Sequence, residues 1–360
     1  RKDRTITAST TGQNNDAWGR TGRTVSGLAS DDNTDSNTYT STDTSVCTVD
    51  SSGILTLLKP GTCSVTATVA QGNRYNQKTS SAVSFTVAKK AHTLSGNDAT
   101  ANATESSVSM AVSSDSNSNN SDLASTVYSV ESGTNTAGCS VNASTGAVTF
   151  TSAGECYINS SNSGNDYWET GTTKKKLTLN RVNRSISIST TGLDDDIWGT
   201  TGRTATGVAS ADDSDSKTYT STDTSVCTIN GSGQLTLLKP GTCTLSATIA
   251  QGNRYNTATS SSVHFTVAKK SHSLTGSDTS ANANAANVSM SVTSNASSNN
   301  SDLASTVYSV EAGTNTAGCT VNASTGLVAF TSAGECYINS SNSGNGYWQS
   351  ATAKKKLTIS

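Results

Sequence analysis

The sequence predicts an all-β chain, built as four tandem β-sandwiches in an elongated rod. Three observations carry that prediction. A segment closed by two cysteines occurs four times: CTVDSSGILTLLKPGTC from Cys47 to Cys63, CTINGSGQLTLLKPGTC from Cys227 to Cys243, and looser versions from Cys139 to Cys156 and from Cys319 to Cys336. Within and around these segments apolar residues alternate with Ser and Thr, the period of a half-buried strand. No apolar pattern with a period of 3.6 residues runs longer than two turns.

The four copies follow from an internal repeat. Shifting the chain by half of its 360 residues aligns the two halves without a gap: SDLASTVYSV at Ser121–Val130 recurs at Ser301–Val310, and TSAGECYINS at Thr151–Ser160 recurs at Thr331–Ser340. Each half divides again, because GTC aligns with GEC and GNRYN at Gly72 with GNDYW at Gly164. The chain therefore reads as four domains in the order A-B-A-B, at 1–90, 91–180, 181–270 and 271–360. Entry at RKDRTI and re-entry at Arg181 with RVNRSI share one phase, which points to two units of a longer array.

Composition narrows the class. Hydrophobic residues make up 32% and charged residues 14%, with a net charge of −2. So polar a chain suits many strands around small cores better than one large core. The balanced charge lacks the basic footprint of a nucleic-acid binder. No apolar run is long enough to span a membrane as a helix, and RKDRTITAST lacks a signal-peptide pattern.

The repeated segment resolves into strands. Cys47 and Val49 share one face, DSSG makes a turn, Leu55 and Leu57 share the next face, and KPG turns again. Cys63, Val65, Ala67 and Val69 then alternate with Ser64, Thr66 and Thr68. Cys139 with Val141, Val148 with Phe150, and Cys156 with Ile158 repeat this in the B copies. Each cysteine thus lies on the apolar face of its strand. Several short strands in about 90 residues, with frequent turn signals, describe a sandwich of immunoglobulin type.

The repeat favours four disulfides: Cys47–Cys63, Cys139–Cys156, Cys227–Cys243 and Cys319–Cys336. Each closes a loop of about 15 residues, worth roughly 3 kcal/mol in the chain-entropy model, which matters for a small core. Buried free thiols are the alternative. Zinc fits less well, because there is no CxxC and His92, His264 and His272 do not recur with ligand spacing. Disulfides imply an oxidising compartment, at the cell surface or in the medium.

At these residues the chain resembles a known family. SVCTVDSSGILTLLKPGTCSVTATVAQGNRYN is similar to the core of bacterial immunoglobulin-like domains, the tandem modules of invasin-type and giant repeat adhesins. Val49, Gly53, Leu55, Leu57, Gly61, Ala67 and the Gly72–Tyr75 turn carry the resemblance, which covers much of all four domains and is weakest in the first third of each. Many members lack these cysteines. The resemblance implies a spacer module of a long bacterial surface protein.

The search for chemistry is mostly negative. His92 and His272 sit at matching domain starts and His264 replaces Ser84, so no Ser–His–acid set recurs, and the chain reads as a non-enzyme. The acidic runs DDNTDS and ADDSDS, with Asp32, Asp35, Asp212 and Asp215 matched, offer oxygen ligands for calcium but lack the closing Glu of an EF-hand. They read first as solvated loops, as does the run Asp194–Asp196; no other cofactor is expected. Trp18, Trp168, Trp198 and Trp348 invite stacking on a sugar, but with four Phe in the chain they serve as core or junction residues. Tyr75, Tyr167, Tyr255 and Tyr347 recur in one turn. The lysines of AKK and TKKKL read as edge charges.

The junctions FTVAKKAHTLS, LTLNRVNRSIS and FTVAKKSHSLT contain neither Gly nor Pro, so strand leads almost directly into the next domain. With strands of about ten residues, four domains in line would span roughly 140–160 Å. The expected function is a structural spacer of a secreted bacterial cell-surface adhesin. Its partners would be neighbouring repeats of the same chain, with self-assembly as a further expectation and neither nucleic acid nor membrane insertion. A repeat of an extracellular filament or coat, and a glycan- or protein-binding module, are the alternatives.

Overall fold

The computed structural model describes residues 1–12, 16–119, 121–192 and 196–360. The regular secondary structure of the described residues is entirely β, arranged as tandem sandwiches. The chain divides into two compact units, Arg1–Val182 and Asn183–Ser360, and each unit holds one A and one B sandwich.

In the first A sandwich the strands are β1 (Ile6–Thr11), β2 (Thr21–Ala29), β3 (Asn37–Ser41), β4 (Cys47–Val49), β5 (Ile54–Leu57), β6 (Gly61–Val69), β7 (Lys78–Thr79) and β8 (Val83–Val87). One sheet has the order β1-β2-β5-β4; in the other, β6 pairs with β3 on one side and with β7 and β8 on the other. The alternation read from the sequence holds: Cys63, Val65, Ala67 and Val69 are buried, while the residues between them face outward. The DSSG turn closes through Asp50, whose Oδ1 accepts from the N–H groups of Ser52 (2.9 Å) and Ile54 (2.8 Å). Gly53 completes the turn with a φ of 82°, a left-handed conformation that glycine adopts without strain.

The B sandwich contains β9 (Leu94–Ser95), β10 (Ala99–Asn102), β11 (Val108–Ser109), β12 (Ser113–Ser114), β13 (Val127–Val130), β14 (Ser140–Val141), β15 (Ala147–Thr149), β16 (Gly154–Asn162) and β17 (Gly171–Asn180). Its main sheet is β10-β17-β16-β13, with β10 parallel to β17. The facing strands are β11-β15-β14 and the pair β12-β9.

Each cysteine pair links two sheets. Cys47 on β4 is bonded to Cys63 on β6 (Cα–Cα 5.7 Å), and Cys139, just before β14, to Cys156 on β16 (6.4 Å). The second unit repeats these links as Cys227–Cys243 and Cys319–Cys336. In its A sandwich, Thr201–Ala209 pairs with Gln234–Leu237, which pairs with Cys227–Ile229. The first of these pairings is interrupted by a bulge between Thr201 and Thr204.

Candidate functional site

The four tryptophans make a constellation that crosses from sandwich to sandwich inside each unit. Trp18 stands in the turn before β2 and Trp168 in the turn before β17. They are only 4% and 5% exposed. The Trp18 ring meets Tyr167 edge-on at 5.2 Å and Trp168 at 5.4 Å. Its Nε1 donates to the Tyr167 carbonyl (2.6 Å), while Trp168 Nε1 donates to the Ser118 carbonyl (2.8 Å). Both indole N–H groups are therefore satisfied, which is what makes burial of such large rings favourable. Trp168 belongs to the same apolar cluster as Val25, Leu55, Leu57 and Val65 of the A sandwich, with Leu123 and Tyr167 packed against it. The B sandwich thus completes the core of the A sandwich.

The connecting segment is fixed on both sides. Ala88 N donates to the Asp16 carbonyl (2.8 Å) and Trp18 N to the Ala88 carbonyl (3.2 Å), tying the segment to A. Two residues on, Lys90 N donates to the Tyr167 carbonyl (3.0 Å) and Glu169 N to the Lys90 carbonyl (2.8 Å), tying it to B. The segment thus satisfies its backbone groups against A at Ala88 and against B at Lys90, with no Gly or Pro between them.

The lysines of AKK depart from the expected role of edge charges. Lys89 Nζ donates to the Asn165 carbonyl (2.6 Å), and Lys90 Nζ lies 4.6 Å from the centre of the Trp18 ring. Those of TKKKL lie on β17, an inner strand of its sheet, where Lys174 pairs with Glu131 (3.0 Å) and Lys176 with Glu155 (2.5 Å). Asn165 had no sequence signal beyond its place in GNDYW. Its Oδ1 accepts from the N–H groups of Tyr167 (2.8 Å) and Trp168 (2.9 Å), and its Nδ2 donates to Asp122 (2.8 Å), so it shapes the turn that presents both rings. His92 packs against Trp168 at 6.0 Å and is buried.

The second unit rebuilds the joint. Trp198 Nε1 donates to the Tyr347 carbonyl (2.6 Å), the Trp198 ring lies 5.1 Å from Tyr347 and 5.7 Å from Trp348, and Lys270 Nζ lies 4.6 Å from the Trp198 ring. His272 takes the place of His92, 6.0 Å from Trp348, whereas His264 is exposed on its strand opposite Thr244.

The matched acids serve the protein itself. Arg4 has no exposed side-chain surface; it pairs with Asp35 (2.7 Å), donates to the carbonyls of Asp32 and Ala70, and lies over Tyr75 at 5.7 Å. Arg184 pairs with Asp215 (2.8 Å) and lies over Tyr255 at 5.6 Å. Asp32 accepts from the Thr34 hydroxyl (2.5 Å), a bond that holds its carboxyl below the usual value of 3.8. Among the described residues no three His, Cys, Asp or Glu side chains converge as a metal site. Asp194 and Asp195 lie outside the described residues. Nor is any helix among the described residues long and apolar enough to cross a membrane.

Fold and joint together define a tandem array of immunoglobulin-like sandwiches. Residues 19–80 match the family described as bacterial Ig-like domain (group 2). That stretch runs from β2 to β7 and supports the resemblance carried by Val49, Gly53, Leu55 and Leu57. No curated protein matches the chain in sequence. Among solved structures, the chain is similar to protocadherin gammaB7 EC3-6 over 98% of its own length and 99% of that chain, at 12% identity and a TM-score of 0.33. It is similar to Drosophila N-cadherin EC1-4 over 92% and 93%, at 12% identity and a TM-score of 0.25.

Proposed function

We propose that the chain is a non-catalytic spacer in the stalk of a large secreted bacterial cell-surface protein, an adhesin. It would comprise four modules, at 1–90, 91–180, 181–270 and 271–360, each closed by its own disulfide and acting in an oxidising space outside the cell. The observation that carries the reading is the aromatic joint. A spacer gains from sandwiches that are individually stapled and rigidly paired, and in both units the buried Trp18 and Trp198 serve that pairing instead of facing a ligand. A short connection pinned to both neighbours removes the hinge freedom that a flexible linker would give.

The test uses the native protein in its source cells. Antibody labelling of intact cells should decorate the outside, and alkylation before reduction should leave all eight cysteines unmodified. Label confined to the cytoplasm, or cysteines alkylated without reduction, would overturn the proposal.

A further inference from the structure

The two A sandwiches share a fold but differ in one outward patch. On the face of the third sandwich, Thr201, Thr236 and Thr228 form one row across three strands, and Thr204 and Gln234 form the next, with Asn230 in the turn at its end. Between the two rows, on the strand Thr201–Ala209, lies the bulge at Gly202, with φ 117°. A side chain there would meet nothing within 4 Å, so the bulge opens a hollow instead of filling one. The result is a groove of about 430 Å³, within the size range of small-molecule sites.

Its lining is neutral. Every polar group in it is a hydroxyl, a carboxamide or the backbone, while the side chains of Ile229 and Leu235, opposite one another on the other face of these strands, belong to the core below. Arg203, in the bulge itself, is turned away over Phe265 and paired with Asp196. Gln234 Oε1 accepts from Asn230 Nδ2 (2.9 Å), which leaves the two N–H groups of Gln234 Nε2 for a ligand. The hydroxyls of Thr228 and Thr236 are likewise outward on adjacent strands, directly opposite one another.

The geometry points to this groove as a binding site for a neutral saccharide. A pyranose offers hydroxyl donors and acceptors at successive ring positions and no charge, which matches two rows of hydroxyls and a carboxamide. A charged ligand would find no counter-charge among the lining residues. The first sandwich keeps the row Thr21, Thr56 and Thr48 but has Asp50 and Ile54 where the third has Asn230 and Gln234. It therefore lacks the carboxamide pair and serves as an internal control. This site is independent of the spacer reading, since a stalk with or without it would have the same joints.

The test is amide chemical-shift mapping on the full chain during titration with the methyl glycosides of glucose, galactose, mannose and N-acetylglucosamine, with methyl glucuronide as the charged comparison. At least one neutral glycoside should shift the amides of 201–204 and 228–236, while the glucuronide and the first sandwich stay silent. The double variant Asn230→Asp, Gln234→Ile installs residues that the same fold already carries in the first sandwich, so it should fold, and it should weaken binding at least about tenfold. Silence with all four neutral glycosides, equal shifts in the first sandwich, or unchanged binding in the double variant would overturn the assignment.

Discussion

The indole Nε1 of Trp18 donates to the backbone carbonyl of Tyr167 across a sequence separation of 149 residues, from one sandwich to its partner. Because the acceptor is main chain, the bond fixes where the Trp168 turn sits. Replacing Trp18 by Phe keeps an aromatic ring but removes the donor, at a cost of about 1 kcal/mol. Replacing it by Ala opens a cavity shared by both sandwiches and costs roughly 3–5 kcal/mol. Calorimetry of the full chain should show the transition of the first unit shifting down in that order. The second unit, with its own Trp198, provides the reference. An unchanged profile for Trp18→Ala would mean that the two sandwiches do not share a core.

Arg4 is buried and answers one carboxylate and two carbonyls. Arg4→Met removes the charge and leaves Asp35 without its partner. A broken buried pair costs several kcal/mol, here about 3 because Asp35 retains 20% exposure. Asp35→Asn in the same chain should recover part of the loss. Since Arg4 already neutralises Asp35, millimolar calcium should leave the Tm of the natural protein unchanged; a calcium-dependent rise in Tm would reassign the loop to metal binding.

Gly53 has φ 82°, and a Cβ there would fall 2.3 Å from the Val25 carbonyl oxygen. Both effects oppose any side chain. Gly53→Ala should destabilise by roughly 1–3 kcal/mol, measured by denaturant unfolding, whereas Gly22→Ala, at φ 113° with nothing within 4 Å, carries backbone strain without the clash and should cost less.

Asp43 accepts from the Ser45 hydroxyl (2.6 Å) and N–H (2.9 Å), and those bonds, the hydroxyl's first, hold its carboxyl below 3.8. Asp223 does the same with Ser225. A depressed folded-state value means that the stabilisation is complete above 3.8 and is lost as pH falls through the lower folded value. Asp43→Asn should therefore reduce stability at neutral pH and flatten the acid limb of a stability–pH curve. An acid limb identical to that of the natural protein would place the proton uptake elsewhere.

The strands around the cysteines were legible because a half-buried strand writes its two faces into alternate residues, as Cys63 to Val69 do. The turns were legible because DSSG and KPG use residues chosen for backbone conformation. The joint was only half legible. Burial of Trp18 and Trp168 followed from the scarcity of other large apolar residues, but their meeting depends on a contact far away in sequence, and no local pattern encodes it. The parallel pairing of β10 with β17 escaped for the same reason. So did Arg4, since an arginine near a chain start reads as solvated until Asp35 and the Ala70 carbonyl are seen around it. Lys89 and Lys90 misled because a charge run beside a strand looks alike at an exposed edge and in a joint.

The central claim is that each sandwich carries its own staple, and single-molecule pulling of the full chain tests it most directly. The loop between Cys47 and Cys63 spans 16 positions, about 55 Å when extended, against a closed Cα–Cα span of 5.7 Å. Without reductant, unfolding of each sandwich should leave that loop closed. The staples lie in the core, so a reductant reaches them only after a sandwich has opened. Each unfolding step should then be followed by a further extension of about 50 Å, four times per chain. Force curves that are the same with and without reductant would contradict the account.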